Sequence, residues 1–198
     1  MCFYDGPAAD ICPTPKTEVR PASLESCWLY PASRGAAPPG GNPAKDTVDY
    51  CVVQHQKSAW LAEVARFADG PVVWVDFGIF HLGLADKIVR GLFERVAAAP
   101  TARIALPAIW PMGGRPLIDW TRPAWYVAGG VVVMPADQAA WFHGRCHDYA
   151  TLQVETSKRA TWEVNTWAAV VRDNRDRFDR YRSDHDATLF TGYGGPPP

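Results

Sequence analysis

The chain has 198 residues, 47% of them hydrophobic and 21% charged, with a formal charge of -1 at neutral pH. That is enough apolar material for one buried core, and it lacks the positive field of a general nucleic-acid coat, so any DNA contact needs a local patch or a pocket for an extruded base. Five scattered cysteines with no C-x-x-C pair, no leader-like N-terminus and no run of about twenty apolar residues make a reducing cytoplasm the expected setting, with neither secretion nor membrane insertion.

Residues 1–45 form a proline- and glycine-rich segment of the same domain, expected as loops around one or two short strands such as "SCWLYP" at 26–31. From Val48 the pattern sharpens. "DYCVVQHQKSAWLAEVARFA" has helical apolar spacing, and "GPVVWVDFGIF" is a β-rich apolar run introduced by Gly70-Pro71. Helix followed by buried strand is the α/β pattern. "GLADKIVRGLFERVAAA" predicts a second helix with Ile88, Leu92, Phe93 and Val96 on one stripe, and "ARIALPAIW" predicts a strand stopped by Pro111. After a proline-broken loop, "YVAGGVVVMPADQAAWFHGRCHDYATLQ" reads as strand, turn and helix, with Pro135 and Asp137 at the helix start. "TWEVNTWAAVVRDNRDRFDRY" reads as a further helix running out in charged residues, ahead of "RSDHDATLF" and a flexible tail over 191–198.

Three constellations carry chemistry. In "TWEVNTW" a helix places Glu163 and Trp167 on one face, so an acid is framed by Trp162 and Trp167; the plainer alternative is a solvated acid on an amphipathic helix. In "VVWVDFGIFH" an apolar strand delivers Asp76 at the carboxyl end of what is expected to be a central strand, where open α/β sheets bind ligands. Gly78 allows close approach there, and His81 is a further polar group; alternatively Asp76 caps the next turn. In "YRSDHDATLF" Asp184, His185 and Asp186 combine carboxylate and imidazole, a ligand mix suited to Mn, Zn or Fe, or else a solvated loop. The loop "PMGGRPLIDWTRPAWY" alternates Arg115, Trp120, Arg122 and Trp125, a mixture that can grip phosphate and stack on a base, or simply pack as a surface loop.

Taken in order, "DTVDYCVVQHQKSAWLAEVARFADGPVVWVDFGIFHL", "AGGVVVM", "TWEVNTWA" and "YRSDHDATLF" resemble bacterial and viral glycosyltransferases of the GT-A fold over residues 46–190. Within that group the chain is most similar to the phage TET-associated glycosyltransferases, which add sugar to hydroxymethylated cytosine in DNA. The resemblance implies a single α/β domain with a GT-A-like mixed, mostly parallel sheet flanked by helices. It implies a nucleotide-sugar donor, a UDP-sugar such as UDP-glucose, and a divalent metal, Mn2+ or Mg2+, held by Asp76 and His185. Glu163 takes the role of general base or acceptor-orienting carboxylate. Lys57 matches a basic residue ahead of the metal strand, serving the nucleotide or an acidic neighbour, and Gly78, Gly129 and Gly130 lie by the donor sugar. Arg115, Trp120, Arg122 and Trp162 are the expected acceptor contacts, and the acceptor implied is 5-hydroxymethylcytosine in DNA. A surface glycan, lipopolysaccharide or small hydroxyl compound is the alternative acceptor, and a non-catalytic sugar- or nucleotide-binding module is the alternative class. The chain departs from the family in having one acid before Phe77-Gly78 where many members have two, and in lacking a clean first nucleotide-gripping strand.

Overall fold

A computed structural model describes residues 2–4, 19–76, 86–114 and 116–197. Two short strands, β1 (Cys2–Tyr4) and β2 (Val19–Pro21), pair in parallel. Where a strand is expected at "SCWLYP", the backbone instead makes a 3-10 turn over Leu24–Ser26 and a short helix, α1 (Tyr30–Ser33). The reason is local: Ser23 and Ser26 exchange side-chain and backbone hydrogen bonds in a capping box, which commits the segment to a turn, and Pro31 fits the first helical turn of α1.

Helix α2 (Val48–Ala65) starts where the Thr47 hydroxyl accepts from the Tyr50 N–H and leads to β3 (Val72–Val75). Then follow α3 (Asp86–Ala98), β4 (Ile104–Ala108), β5 (Val131–Met134), α4 (Ala136–Ser157), α5 (Glu163–Asp173), β6 (Phe178–Arg182) and α6 (Thr188–Thr191). The main sheet has the order β3-β5-β4-β6. β5 runs antiparallel to both β3 and β4, whereas β4 and β6 are parallel. The α/β class therefore holds and the sheet is mixed, but its parallel character is confined to one of these three pairings. β3 lies at an edge of this sheet and not at its centre. With α2 packed on it, Val72 is buried and Val73, Trp74 and Val75 are half-buried.

Central strands β4 and β5 are buried at every position, as continuous apolar runs must be when helices cover both faces of a sheet. On one face Ile104, Leu106, Val132 and Met134 meet Leu61 of α2, Phe142 and Cys146 of α4 and Trp167 of α5. On the other, Ala105, Val131, Val133 and Tyr181 meet Leu92 and Val96 of α3 and Leu189 and Phe190 of α6. Phe93, expected on the buried stripe of α3, is 48% exposed, because the stripe that reaches the sheet runs through Leu92 and Val96. Every residue from Glu163 to Val171 is buried, which makes α5 the core helix of the fold.

The charged end of "AAVVRDNRDRFDRY" also differs from the helical expectation. Helix α5 stops at Asp173; the Asn174 side chain donates back to the Val170 carbonyl, a 3-10 turn covers Arg175–Arg177, and β6 follows. Pairing with β4 overrides the local charge pattern, since Phe178 and Tyr181 gain burial only in the strand. Among the described residues no helix is long and apolar enough to cross a membrane.

Candidate functional site

Strand directions bring the carboxyl ends of β3, β4 and β6 and the start of β5 to one end of the sheet. Asp76 leaves β3 at that end, and its N–H donates to the Gly130 carbonyl just before β5 (2.9 Å). Lys57, on the sheet-facing side of α2, and Glu163, the first residue of α5, converge on the same point. The Lys57 ammonium donates to Glu163 Oε1 (2.8 Å), to Asp76 Oδ2 (2.9 Å) and to the Gly129 carbonyl (3.3 Å). A lysine has three donors, and here all three are used. Gly129 is required for the approach: a methyl group on its Cα would overlap Glu163 Oε1 and lie 3.3 Å from a Val164 methyl.

The Lys57 side chain is 3% exposed, that of Glu163 7% and that of Asp76 29%, so Asp76 is the member of the triad that faces outward. Burial pulls the Lys57 pKa down, but Glu163 and then Asp76 outweigh it, and the net result is a lysine held above its ordinary value. The surplus of carboxylate also marks its neighbours. Burial and then Glu163 push the Tyr50 phenol up to about 12, and the same two causes, with Asp46, push the Cys51 thiol up to about 12.

Aromatic groups shape the mouth. The Trp74 indole N–H donates to Asp76 Oδ1 (2.5 Å), and Trp74 stacks on Trp60 with ring centroids 5.8 Å apart and planes 13° from parallel. Sequence reasoning passed over Tyr50, Trp60 and Trp74, although the signal was present. Trp74 lies two residues before Asp76 on the same strand face, and Trp60 and Tyr50 are three residues after and seven before Lys57 on one helix face.

The other residues of "TWEVNTW" hold the walls. The Trp162 indole is buried and donates to Asp46 Oδ1 (3.0 Å). Asn165 Oδ1 accepts from the buried Ala124 N–H (2.7 Å), while its amide donates to the carbonyls of Arg122 (2.8 Å) and Asp119 (3.2 Å) and to the Thr161 hydroxyl (2.8 Å). Thr161 in turn donates to the Trp120 carbonyl. The arginine and tryptophan loop is thereby fastened to the start of α5. Trp120 is half-buried in it, and Arg122 extends into solvent with Asp119 3.9 Å away. Thr166 donates to His55 Nε2 (2.9 Å), because Nδ1 must carry the proton that the Cys51 carbonyl accepts (2.8 Å). Burial lowers the His55 pKa and keeps the ring neutral.

His185 lies in the exposed turn beyond β6, its ring edge-on to Trp125 with centroids 4.4 Å apart. Asp184 and Asp186 bond within that turn: Asp184 accepts from the His185 N–H, and Asp186 accepts from the Thr188 N–H at the start of α6. Thus Lys57, Asp76, Gly129, Gly130 and Glu163 are brought together, whereas His185 has its contacts elsewhere. Gly78, His81 and Arg115 lie outside the described residues. Among the described residues no three His, Cys, Asp or Glu side chains are grouped to share a metal ion. The Asp76 oxygens accept from Lys57 and from the Trp74 indole, one bond each, and the His185 ring lies against Trp125.

Compared with models of protein families, with curated proteins and with solved structures, the chain matches none.

Proposed function

We propose that the protein is a glycosyltransferase that moves a hexose from a nucleotide sugar to a hydroxyl acceptor, with 5-hydroxymethylcytosine in DNA as the acceptor. The observation that carries this reading is the Asp76–Lys57–Glu163 triad at the carboxyl end of the sheet, with glycine backbone against it. In the reaction the acceptor oxygen bonds to the anomeric carbon, the bond from that carbon to the diphosphate oxygen breaks, and the hydroxyl proton passes to a carboxylate. Glu163 is the base, its geometry set by Lys57 and by the start of α5. Asp76, the exposed carboxylate, accepts from a sugar or acceptor hydroxyl, and the Trp60–Trp74 pair offers a stacking wall beside it. Such a transfer calls for Mn2+ or Mg2+ to neutralise the leaving diphosphate. Asp76 is the carboxylate that would face the ion, and no step here is derived through it.

A second reading, a non-catalytic sugar- or nucleotide-binding module, draws on the burial of Glu163 and on Lys57 having no donor to spare for a ligand. One experiment separates the two. Purified protein is incubated with manganese, a panel of nucleotide sugars and duplex DNA with or without 5-hydroxymethylcytosine, and digested nucleosides are weighed by mass spectrometry. A hexose-sized gain on hydroxymethylated DNA, lost in Glu163→Gln, supports the DNA enzyme. Donor hydrolysis without DNA gain, lost in the same variant, moves the acceptor to glycans or small hydroxyl compounds. Ligand binding with no reaction, and unchanged affinity in Glu163→Gln, establishes the binding module.

A further inference from the structure

Helices α2 and α4 pack against each other, and beside that contact two imidazoles of α4 gather around Trp28. The His143 and His147 ring centroids lie 5.6 and 5.0 Å from the indole and 6.3 Å from each other. Neither belongs to the Lys57 triad. The indole is fixed from α2: its Nε1 donates to the His55 carbonyl (3.2 Å), and the Trp28 backbone N–H donates to the Gln56 side chain (3.0 Å). The two histidines are one helical turn apart and share a face of α4.

One hydrogen bond decides what the pair can offer. The Ser58 hydroxyl gives its proton to the His55 carbonyl (3.1 Å), so its oxygen accepts from His143 Nδ1 (3.1 Å) and the His143 lone pair sits on Nε2. Burial first, and then His147, lower the His143 pKa and keep that ring neutral at pH 7. A neutral imidazole whose other nitrogen is anchored is the form that ligates a metal. His147 is 50% exposed, and the neighbouring cation Arg145 is engaged by Asp148 (3.1 Å) and lies over the Tyr149 ring. Metal–nitrogen bonds of about 2.0–2.1 Å put each ring centroid roughly 3 Å from an ion, so two rings sharing one ion stand about 5–6 Å apart. The observed 6.3 Å closes with a small side-chain rotation. Among the described residues no third side chain completes a cluster with them, so an ion here has two protein ligands and water in its remaining positions. Imidazole suits Cu2+, Ni2+ and Zn2+, whereas Mg2+ favours oxygen.

We propose that His143, through Nε2, and His147 chelate a divalent transition-metal ion of the Cu2+, Ni2+ and Zn2+ class on the surface of α4. The chelate requires that turn to be helical, so the ion stabilises the folded chain. The site is independent of the transferase reading.

Isothermal titration calorimetry of the untagged full chain with NiCl2, ZnCl2 and MgCl2 tests it. Ni2+ and Zn2+ give saturable binding, and Mg2+ gives none at the same concentration. His143→Ala and His147→Ala each weaken Ni2+ binding about ten-fold or more, and Ser58→Ala weakens it about ten-fold through its hold on Nδ1, while His185→Ala leaves it unchanged. Because His147 is exposed, His147→Ala keeps the metal-free thermal midpoint of the parent, and Ni2+ raises the midpoint of the parent but not of this variant. Absence of saturable Ni2+ binding overturns the proposal. So does Ni2+ affinity that survives both α4 histidine substitutions or that is lost in His185→Ala.

Discussion

Lys57→Met is the most informative perturbation of the triad, because it leaves two carboxylates facing each other with their shared cation gone. The Glu163 side chain is 7% exposed and cannot recover its hydration, while Asp76 at 29% recovers part of it. Removing one partner of a buried ion pair costs about 3–5 kcal/mol, and for a chain of this size that is a fall of roughly 6–20 °C in the unfolding midpoint. The Gly129 carbonyl loses its donor as well. Adding Glu163→Gln to Lys57→Met removes the stranded charge, so the double variant is more stable than Lys57→Met by about 1 kcal/mol or more. Urea unfolding of the parent, both single variants and the double variant closes the cycle. A Lys57→Met variant within about 1 kcal/mol of the parent, or strictly additive effects, would refute the reasoning, for then the ammonium does not compensate the carboxylates. The raised Lys57 pKa sets the pH window. The contribution is fully present below the unfolded lysine value of about 10.4 and is lost only as pH rises through the higher folded value.

His55 gives the opposite sign. Its folded pKa is lowered by burial, so the unfolded chain binds the extra proton, and stability falls as pH drops below about 6.5, by at most about 1.4 kcal/mol per pH unit. Chemical denaturation from pH 8 to pH 5 should show this slope, and His55→Gln should reduce it; an equal slope in the variant assigns the acid sensitivity to another group. Gly129→Ala drives a methyl group into Glu163 and costs about 1–3 kcal/mol, recovered in part by Glu163→Ala, with thermal melts as the readout. Asn165→Ala strands the buried Ala124 N–H and costs about 1–3 kcal/mol. Hydrogen exchange should accelerate over residues 119–124 before the core responds, and uniform acceleration would argue against a loop-fastening role.

Much of this architecture could be read from apolar spacing. The helices around Lys57 and Glu163 and the strands before Asp76 and after Gly130 lie where their patterns place them, because a buried strand or a helix face leaves a periodic mark. What escaped was decided by partners distant in sequence. β6 is a strand because β4 lies beside it, and "RDRFDRYR" carries no local sign of that neighbour. Trp162 resembles a stacking residue until Asp46, 116 residues earlier, takes its N–H. Asn165 sits one helical turn after Thr161, yet its purpose depends on a loop some forty residues upstream. The convergence of Lys57 with Asp76 and Glu163 is likewise a tertiary fact, joining α2, β3 and α5 across separations of 19 and 106 residues.

The charge count of the triad constrains what can dock on it. Two carboxylates and one ammonium carry a formal charge of -1, and the outward-facing member is a carboxylate. A bare diphosphate brought against Asp76 would meet like charge with no free lysine donor to offset it, since Lys57 is saturated from within. A hydroxyl-rich sugar or acceptor meets no such penalty and can donate to Asp76 directly. On the proposed reading, a nucleotide sugar would arrive either with a cation between its phosphates and Asp76 or with its phosphates turned away and only the sugar at the triad. Measuring donor affinity with and without Mn2+ in the parent and in Asp76→Asn separates these geometries. If the cation screens Asp76, the substitution strengthens metal-free donor binding and weakens the metal dependence; if the phosphates lie elsewhere, metal-free affinity stays constant or falls through loss of a sugar contact.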